Sequence, residues 1–489
     1  MGDFEVKHTS LAGRIGVLET RHRKLETPIF FPVINPFKRE FSVEDLKKLK
    51  IQNFITNAYI LKKNNIIGTS VHKFFQFDGT IMTDSGAYQI LEYGKVDVTN
   101  EEIIKYQEEL LSDIAVILDI PTGNTESKKE AEKSVQETIK RAEEAEKIIS
   151  SDNEIIWVYP IQGGRFLDLV EYSSRKIREF KKYKMVALGS PTVVLERYEY
   201  EVLIDMIYTA RSNLPRSFPL HLFGGGLPHI IPFAVALGVD SFDSASYILY
   251  ARDNRYITRS RVRRLEELDY LPCSCIICQK YTKEELLEMN KEERIKKLAI
   301  HNLLKILEEI NETKQAIKED RLFEYLYEKS RAHPAIYTAY KRLLNYYKYL
   351  ELYDSRIKGD ISGIFLYDID SFYRPELVRY KNYLDRVIKK KNYAVILCYD
   401  SLDFIKEKYN FIKEKYKDYD IYVYHEFFGI IPIDLIYTYP LSQHEKPKII
   451  SEDVKKYSYE ILQNFLNMKK YEKVIYEECN EKLHISAST

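Results

Sequence analysis

The stretch Gly238-Val239-Asp240-Ser241-Phe242-Asp243-Ser244-Ala245-Ser246-Tyr247 decides how this chain reads. An apolar run over 230–237 leads into it, and an arginine-rich segment leads out. Residues 239–242 are β-like, so Asp243 falls at a strand end, where a carboxylate can face a cleft and not the core. Two readings of Asp243 result: a nucleophile in that cleft, or a residue that caps the next helix. The residues upstream bear on the choice.

Seven earlier runs read as strands: 28–33, 53–59, 80–83, 115–119, 155–162, 185–188 and 219–223. Most are separated by helical runs, among them 42–50, a helix opened by the capping box Thr99-x-x-Glu102, and the charged, Pro- and Gly-free segment 126–150. A hairpin around Leu11-Ala12-Gly13-Arg14 precedes them all. Eight strands alternating with helices over about 220 residues predict a (β/α)₈ TIM barrel, with an open doubly wound sheet as the rival. A barrel places its chemistry at the C-terminal strand ends. There the chain carries Asp84 and Ser85 on the third strand, Asp119 on the fourth, Gln162-Gly163-Gly164 on the fifth, Gly189-Ser190 on the sixth, Gly224-Gly225-Gly226 on the seventh and Asp243 on the eighth.

The 74 basic and 74 acidic side chains cancel, so a nucleic-acid contact has to come from a local patch. Such a patch exists: Arg252, Arg255, Arg259, Arg261, Arg263 and Arg264 crowd between Tyr250 and Leu265. Such an excess is the footprint expected for a phosphate backbone, and the alternative is a solvated face paired with Glu266, Glu267 and Asp269. Of five cysteines, Cys273, Cys275 and Cys278 lie within six positions, and His301 follows after 22 residues in a helical stretch. Three thiolates and an imidazole predict one closed structural Zn²⁺ site; the alternative is three reduced cysteines that bind nothing. Cys398 and Cys479 read as isolated, partly buried thiols, and the cysteine usage as that of a reducing compartment. The N-terminus lacks an apolar signal region, and no window approaches the about 20 apolar residues of a membrane span, so the expectation is cytoplasmic.

Together, TDSGAYQ (83–89), YPIQGG (159–164), ALGSP (187–191), HLFGGG (221–226), FDSASY (242–247) and the C-x-C-x₂-C…H pattern resemble the tRNA-guanine transglycosylases. DSGAYQ, where bacterial members usually carry DSGGFQ, is similar to the archaeal branch that acts in archaeosine synthesis. The resemblance implies exchange of a guanine in tRNA, at position 15 of the D-arm, for a 7-deazaguanine such as preQ0. Exchange with retention at one anomeric carbon calls for two displacements through a covalent glycosyl-enzyme, and so for a carboxylate nucleophile beside a second carboxyl that moves the proton. By resemblance Asp243 is the nucleophile and Asp84 the general acid/base, held as a pair because the DSG aspartate has also been given the nucleophile role. Asp119 matches the carboxylate that binds the purine N1–H and 2-amino edge. Ser85, Gln162, Gly163 and the backbone at Leu188-Gly189 match further pocket contacts, and Tyr88 would stack on the base. The target base must leave its stack to reach such a pocket. The resemblance further implies tRNA and the free bases as partners and a homodimer formed through the zinc region.

The composition shifts near Asp354, so we expect a catalytic domain over 1–353, with the zinc subdomain at about 265–310, and a smaller α+β accessory tRNA-binding region over 354–489. Family members usually end in a PUA domain; here we expect none, with its role missing or supplied by a separate PUA-type protein. The alternatives are a catalytically silent tRNA-binding subunit of a heteromeric enzyme, against which Asp84 and Asp243 both argue, and a related enzyme that modifies the inserted base.

Overall fold

The computed structural model describes residues 2–87, 89, 97–357, 362–399 and 401–479. The chain divides into two compact units, 1–345 and 346–489, and the division leaves the helix Tyr347–Tyr353 with the second.

In the first unit, strands β1 (Phe4–Ser10), β2 (Gly13–Glu19) and β3 (Lys24–Thr27) form an antiparallel ribbon. The sequence reading anticipated the first two strands of this ribbon and not the third. Eight parallel strands follow: β4 (Ile29–Pro32), β5 (Asn53–Asn57), β6 (Thr80–Asp84), β7 (Ile114–Val116), β8 (Ile156–Ile161), β9 (Tyr183–Leu188), β10 (Leu220–Leu222) and β11 (Ser241–Ser244). From β5 to β11 each neighbours the next in sequence, β11 pairs with β4, and a parallel bridge between Val33 and Ile55 joins the ends. The sheet is therefore a nearly closed barrel and not an open doubly wound sheet. Its strands read as apolar runs because both faces are covered; all six residues of β8 are buried.

The barrel interior is filled by Phe31, Ile55, Met82, Val116, Val158 and Ala187, and Leu18 and Leu25 of the ribbon join this cluster. Arg14 of β2 fixes the ribbon to the barrel. Its guanidinium meets both oxygens of Asp240 at 2.7 Å, and both side chains are fully buried. Asp240 also accepts from the Leu220 N–H at 2.8 Å, so this acid holds β10 and β11 in register. Asp240 and Asp243, three positions apart, thus face opposite fates: one is sealed by a cation, the other lies at the strand end.

After β11 the chain makes the helix Ser246–Arg252, a two-stranded ribbon of β12 (Arg255–Ile257) and β13 (Val262–Arg264), and the cysteine loop. The helix Lys291–Lys318 then returns against β1, β2 and β4.

The second unit holds a short pair, β14 (Ile364–Phe365) with β18 (His444–Glu445), and a four-stranded sheet in the order β17 (Gly429–Pro432), β16 (Tyr419–His425), β15 (Tyr393–Leu397), β19 (Lys473–Glu477). Here one sequence reading is corrected. Cys398 and Cys479 are not isolated thiols; they form a disulfide across a sequence separation of 81. The cause is strand register: β15 and β19 run parallel with Leu397 opposite Glu477, so the residues just beyond meet. Cross-linking this long a loop restricts the unfolded chain, so Cys398→Ser is expected to cost the second unit about 4 kcal/mol. Denaturant unfolding of the full chain with and without reductant checks this, and the variant should lose its response to reductant.

Candidate active site

The C-terminal ends of the barrel strands open into a cavity of about 400 Å³. Asp84, Asp119, Gln162, Gly189 and Asp243 all line it, so two acids from distant parts of the sequence do meet at one cleft. Ser85, Gly163 and Leu188 are not on its wall. Ser85 is buried behind it, and its hydroxyl has no hydrogen-bond partner among the described residues. The Leu188 carbonyl accepts from the Phe223 N–H and the Gly189 N–H donates to the Ile161 carbonyl, so the sheet already engages this backbone. Tyr88 lies outside the described residues.

Asp84 ends β6, and its Oδ2 accepts from the Gly86 N–H at 3.2 Å and the Asn57 amide at 3.3 Å. Gly86 has φ +92°, and a Cβ there would fall 2.5 Å from the Tyr59 side chain, so this turn demands glycine. Burial, then the charges of Asp119 and Asp243, push the Asp84 carboxyl up to about 7. Asp119 follows β7, and burial pushes its carboxyl up to about 6 against a hydrogen bond from Gln162. Both shifts disfavour the charged form, as expected for acids gathered in a water-poor cleft.

Gln162 is held on every side. Its amide donates to Asp119 at 2.6 Å and its carbonyl accepts from the Thr122 N–H at 3.0 Å and the Ser190 hydroxyl at 2.9 Å. Ser190 sits at φ +62°, a left-handed conformation that costs a non-glycine residue about 1 kcal/mol or more, and there its hydroxyl also caps the Gly123 N–H at 3.0 Å. A Cβ on Gly189 would lie 2.3 Å from the Gln162 amide nitrogen, so only glycine admits this side chain.

Asp243, at the third position of β11, accepts at Oδ1 from the Gly224 N–H at 3.0 Å and contacts His221 Nε2 at 3.0 Å. Asn57 and His221 are site residues that sequence reading did not single out, and Ser190 was placed at the end of the sixth strand without a role. Each is an ordinary strand or loop residue whose role depends on its neighbour in space; His221 and Ser190 lie inside the HLFGGG and ALGSP motifs, and Asn57 lies in neither.

The six arginines divide. Arg252 pairs with Glu40 at 3.3 Å, Arg255 with Asp253 at 3.1 Å and Arg259 with Glu328 at 2.9 Å. Arg261, Arg263 and Arg264 are exposed at the turn and second strand of the β12–β13 ribbon, with no ion-pair partner among the described residues. Glu266, Glu267 and Asp269 do not pair with any of the six.

Cys273, Cys275, Cys278 and His301 form a cluster whose donor atoms converge. Sγ of Cys275 and of Cys278 each lie 3.4 Å from His301 Nδ1 and 3.7 Å from one another. Tetrahedral zinc with thiolate bonds of about 2.3 Å spaces its ligand atoms by roughly 3.5–3.8 Å, so the donor set fits a metal ion. His301 Nε2 donates to the Ile257 carbonyl at 2.8 Å, which leaves Nδ1 as the ligand atom, and Tyr256 stacks on the ring at 3.7 Å.

Comparison with known proteins agrees with this geometry. Residues 9–335 match the family model described as queuine tRNA-ribosyltransferase. The chain is similar to the tRNA-guanine(15) transglycosylase of Saccharolobus solfataricus, 56% identical over 99% of this chain and 98% of the relative. It is also similar to the proteins of that name from Sulfolobus acidocaldarius, 52% identical over 100% and 97%, and Aeropyrum pernix, 44% identical over 91% and 88%. A nearly closed parallel barrel with acids gathered at its mouth and a match over two thirds of its length place the chain in one family: it belongs to the queuine tRNA-ribosyltransferase, or tRNA-guanine transglycosylase, family.

Proposed function

We propose that the protein is an archaeosine-pathway tRNA-guanine(15) transglycosylase that exchanges guanine for preQ0 through a glycosyl-enzyme on Asp243. The observation that carries this reading is the lining of one cavity by Asp84, Asp119 and Asp243. The relatives, each a tRNA-guanine(15) transglycosylase by name, support the substrate and the position.

Asp243 accepts hydrogen bonds and lines the cleft, which suits a nucleophile. It attacks C1′ of the target nucleotide as the bond from C1′ to the guanine nitrogen breaks, and the electron pair leaves with the base. Asp84, pushed up to about 7, holds a proton for part of its time at neutral pH and gives it to the departing guanine. The incoming 7-deazaguanine returns a ring N–H proton to Asp84, attacks C1′ and displaces Asp243; two inversions give retention. Asp119 accepts from the N1–H and 2-amino group of the base, an edge that adenine lacks, and Gln162 keeps that carboxylate in place. Arg261, Arg263 and Arg264 supply positive charge for the phosphate backbone. The Cys273, Cys275, Cys278 and His301 site holds one Zn²⁺, whose part is to fold the loop and not to act on the base. Tyr270 and Ile276, exposed on that loop, support the expected homodimer.

Three measurements test the reading. Exchange of labelled guanine into unmodified tRNA should vanish in Asp243→Asn, and the denaturant-stable protein–tRNA adduct of the wild type should vanish with it; full exchange in that variant would sink the assignment. The departure step needs Asp84 protonated and Asp119 ionised. The kcat/KM for tRNA should therefore rise as pH climbs through about 6 and fall as it passes about 7. A profile flat across this range contradicts those roles. Metal analysis of the purified chain should find one zinc, lost in Cys275→Ser together with a fall in melting temperature.

A further inference from the structure

We propose that His221 is a positioning residue that selects which oxygen of Asp243 attacks the ribose, an inference that rests on the transglycosylase reading above. His221 lies on β10 directly opposite Ser241 of β11, and Asp243 is two residues further along β11 on the same face. One imidazole therefore spans both neighbours: Nδ1 is 2.9 Å from Ser241 Oγ and Nε2 is 3.0 Å from Asp243 Oδ1. The ring is completely buried, with Phe223 packed edge-on at a centroid distance of 4.9 Å and Phe31 at 6.2 Å.

These contacts fix the tautomer. An ionised carboxylate only accepts, so in the neutral ring Nε2 carries the hydrogen and Nδ1 accepts from the Ser241 hydroxyl. The Gly224 N–H donates to the same oxygen at 3.0 Å, so both donors converge on Oδ1. Oδ2 has no donor among the described residues, and Asp243 lines the cavity.

The asymmetry has a chemical use in both halves of the exchange. In the first, the Oδ2–C1′ bond forms as the C1′–guanine bond breaks, and the base leaves with the bonding pair and takes the Asp84 proton. Oδ1 is then the ester carbonyl and keeps both donors without rearrangement. In the second half the incoming nitrogen attacks C1′, the Oδ2–C1′ pair returns to the carboxylate, and the same two donors receive the charge as it reappears. An apolar ring at this position would leave the carboxylate held by the Gly224 N–H alone, with a weaker bias between its two oxygens.

Guanine exchange at saturating tRNA, the KM for tRNA and the melting temperature, measured on full-length variants, test this. His221→Phe keeps an aromatic ring, a somewhat larger one, and removes the donor. It is expected to lower kcat by about 10- to 100-fold, the loss typical of one hydrogen bond to a charged group, with KM for tRNA changed by no more than about twofold. His221→Gln, which restores a donor, is expected to recover most of kcat. Wild-type kcat in His221→Phe, or equal losses in the Phe and Gln variants, overturns the proposal. Should His221→Phe melt too low to assay, Ser241→Ala removes only the hydroxyl that orients the ring. A several-fold fall in kcat at unchanged KM is then expected, and an unchanged kcat overturns the proposal. Asp243→Asn separates the two levels: an active Asp243→Asn sinks the transglycosylase mechanism itself, whereas an inactive one beside a fully active His221→Phe sinks only the role of the histidine.

Discussion

Three carboxyl groups in one cleft repel one another, and the remaining features of the active site can be understood as answers to that repulsion. Each acid is accommodated differently. Asp84 is pushed up to about 7 and can hold a proton. Asp119 leans on the Gln162 amide, which Thr122 and Ser190 hold in turn. Asp243 shares Oδ1 between a backbone N–H and an imidazole. Among the described residues none of the three forms an ion pair with a lysine or arginine, and only the more distant charge of Arg141 acts on Asp119. A guanidinium there would stabilise the charges but would also draw Asp84 down and remove the proton that the proposed exchange needs. The site therefore gives up stability in exchange for an acid that titrates near neutrality.

A close arginine–carboxylate pair is found instead at the base of the barrel. Arg14 and Asp240 are both fully buried and doubly bonded, and Asp240 also ties the Leu220 N–H. Removing either partner strands a buried charge at a cost of about 3–5 kcal/mol, so the pair makes the junction between ribbon and barrel intolerant of change. That rigidity reaches Asp243 directly, because β11 begins one residue after Asp240 and runs only to Ser244.

Local sequence carried much of this. Eight apolar runs with acids and glycines at their C-terminal ends were enough for the barrel, because a strand buried on both faces advertises itself by composition. The cysteine cluster was legible from spacing alone, since its thiols lie within six positions. What escaped was set by register between strands far apart in sequence. Cys398 and Cys479 meet only because Leu397 falls opposite Glu477, and His221 reaches Asp243 only because it falls opposite Ser241. The arginine segment was read as one patch because sequence shows charge and not partners. Glu40 and Glu328, which engage Arg252 and Arg259, come from distant parts of the chain.

The Cys273, Cys275, Cys278 and His301 cluster and the exposed arginines are joined through one ribbon. His301 Nε2 bonds the Ile257 carbonyl at the end of β12, and the Tyr256 hydroxyl lies 3.2 Å from Cys278 Sγ while its ring stacks on His301. Tyr256 faces Arg263, and Arg255 faces Arg264, across the β12–β13 ribbon. The ribbon is two-stranded and short, a form only marginally stable alone in water. Ligands that pin one strand through Tyr256 and Ile257 therefore hold the other, with its arginines, in a fixed place. None of the four residues lines the cavity, so a metal held there would act on the placement of the ribbon and not on the proposed exchange step.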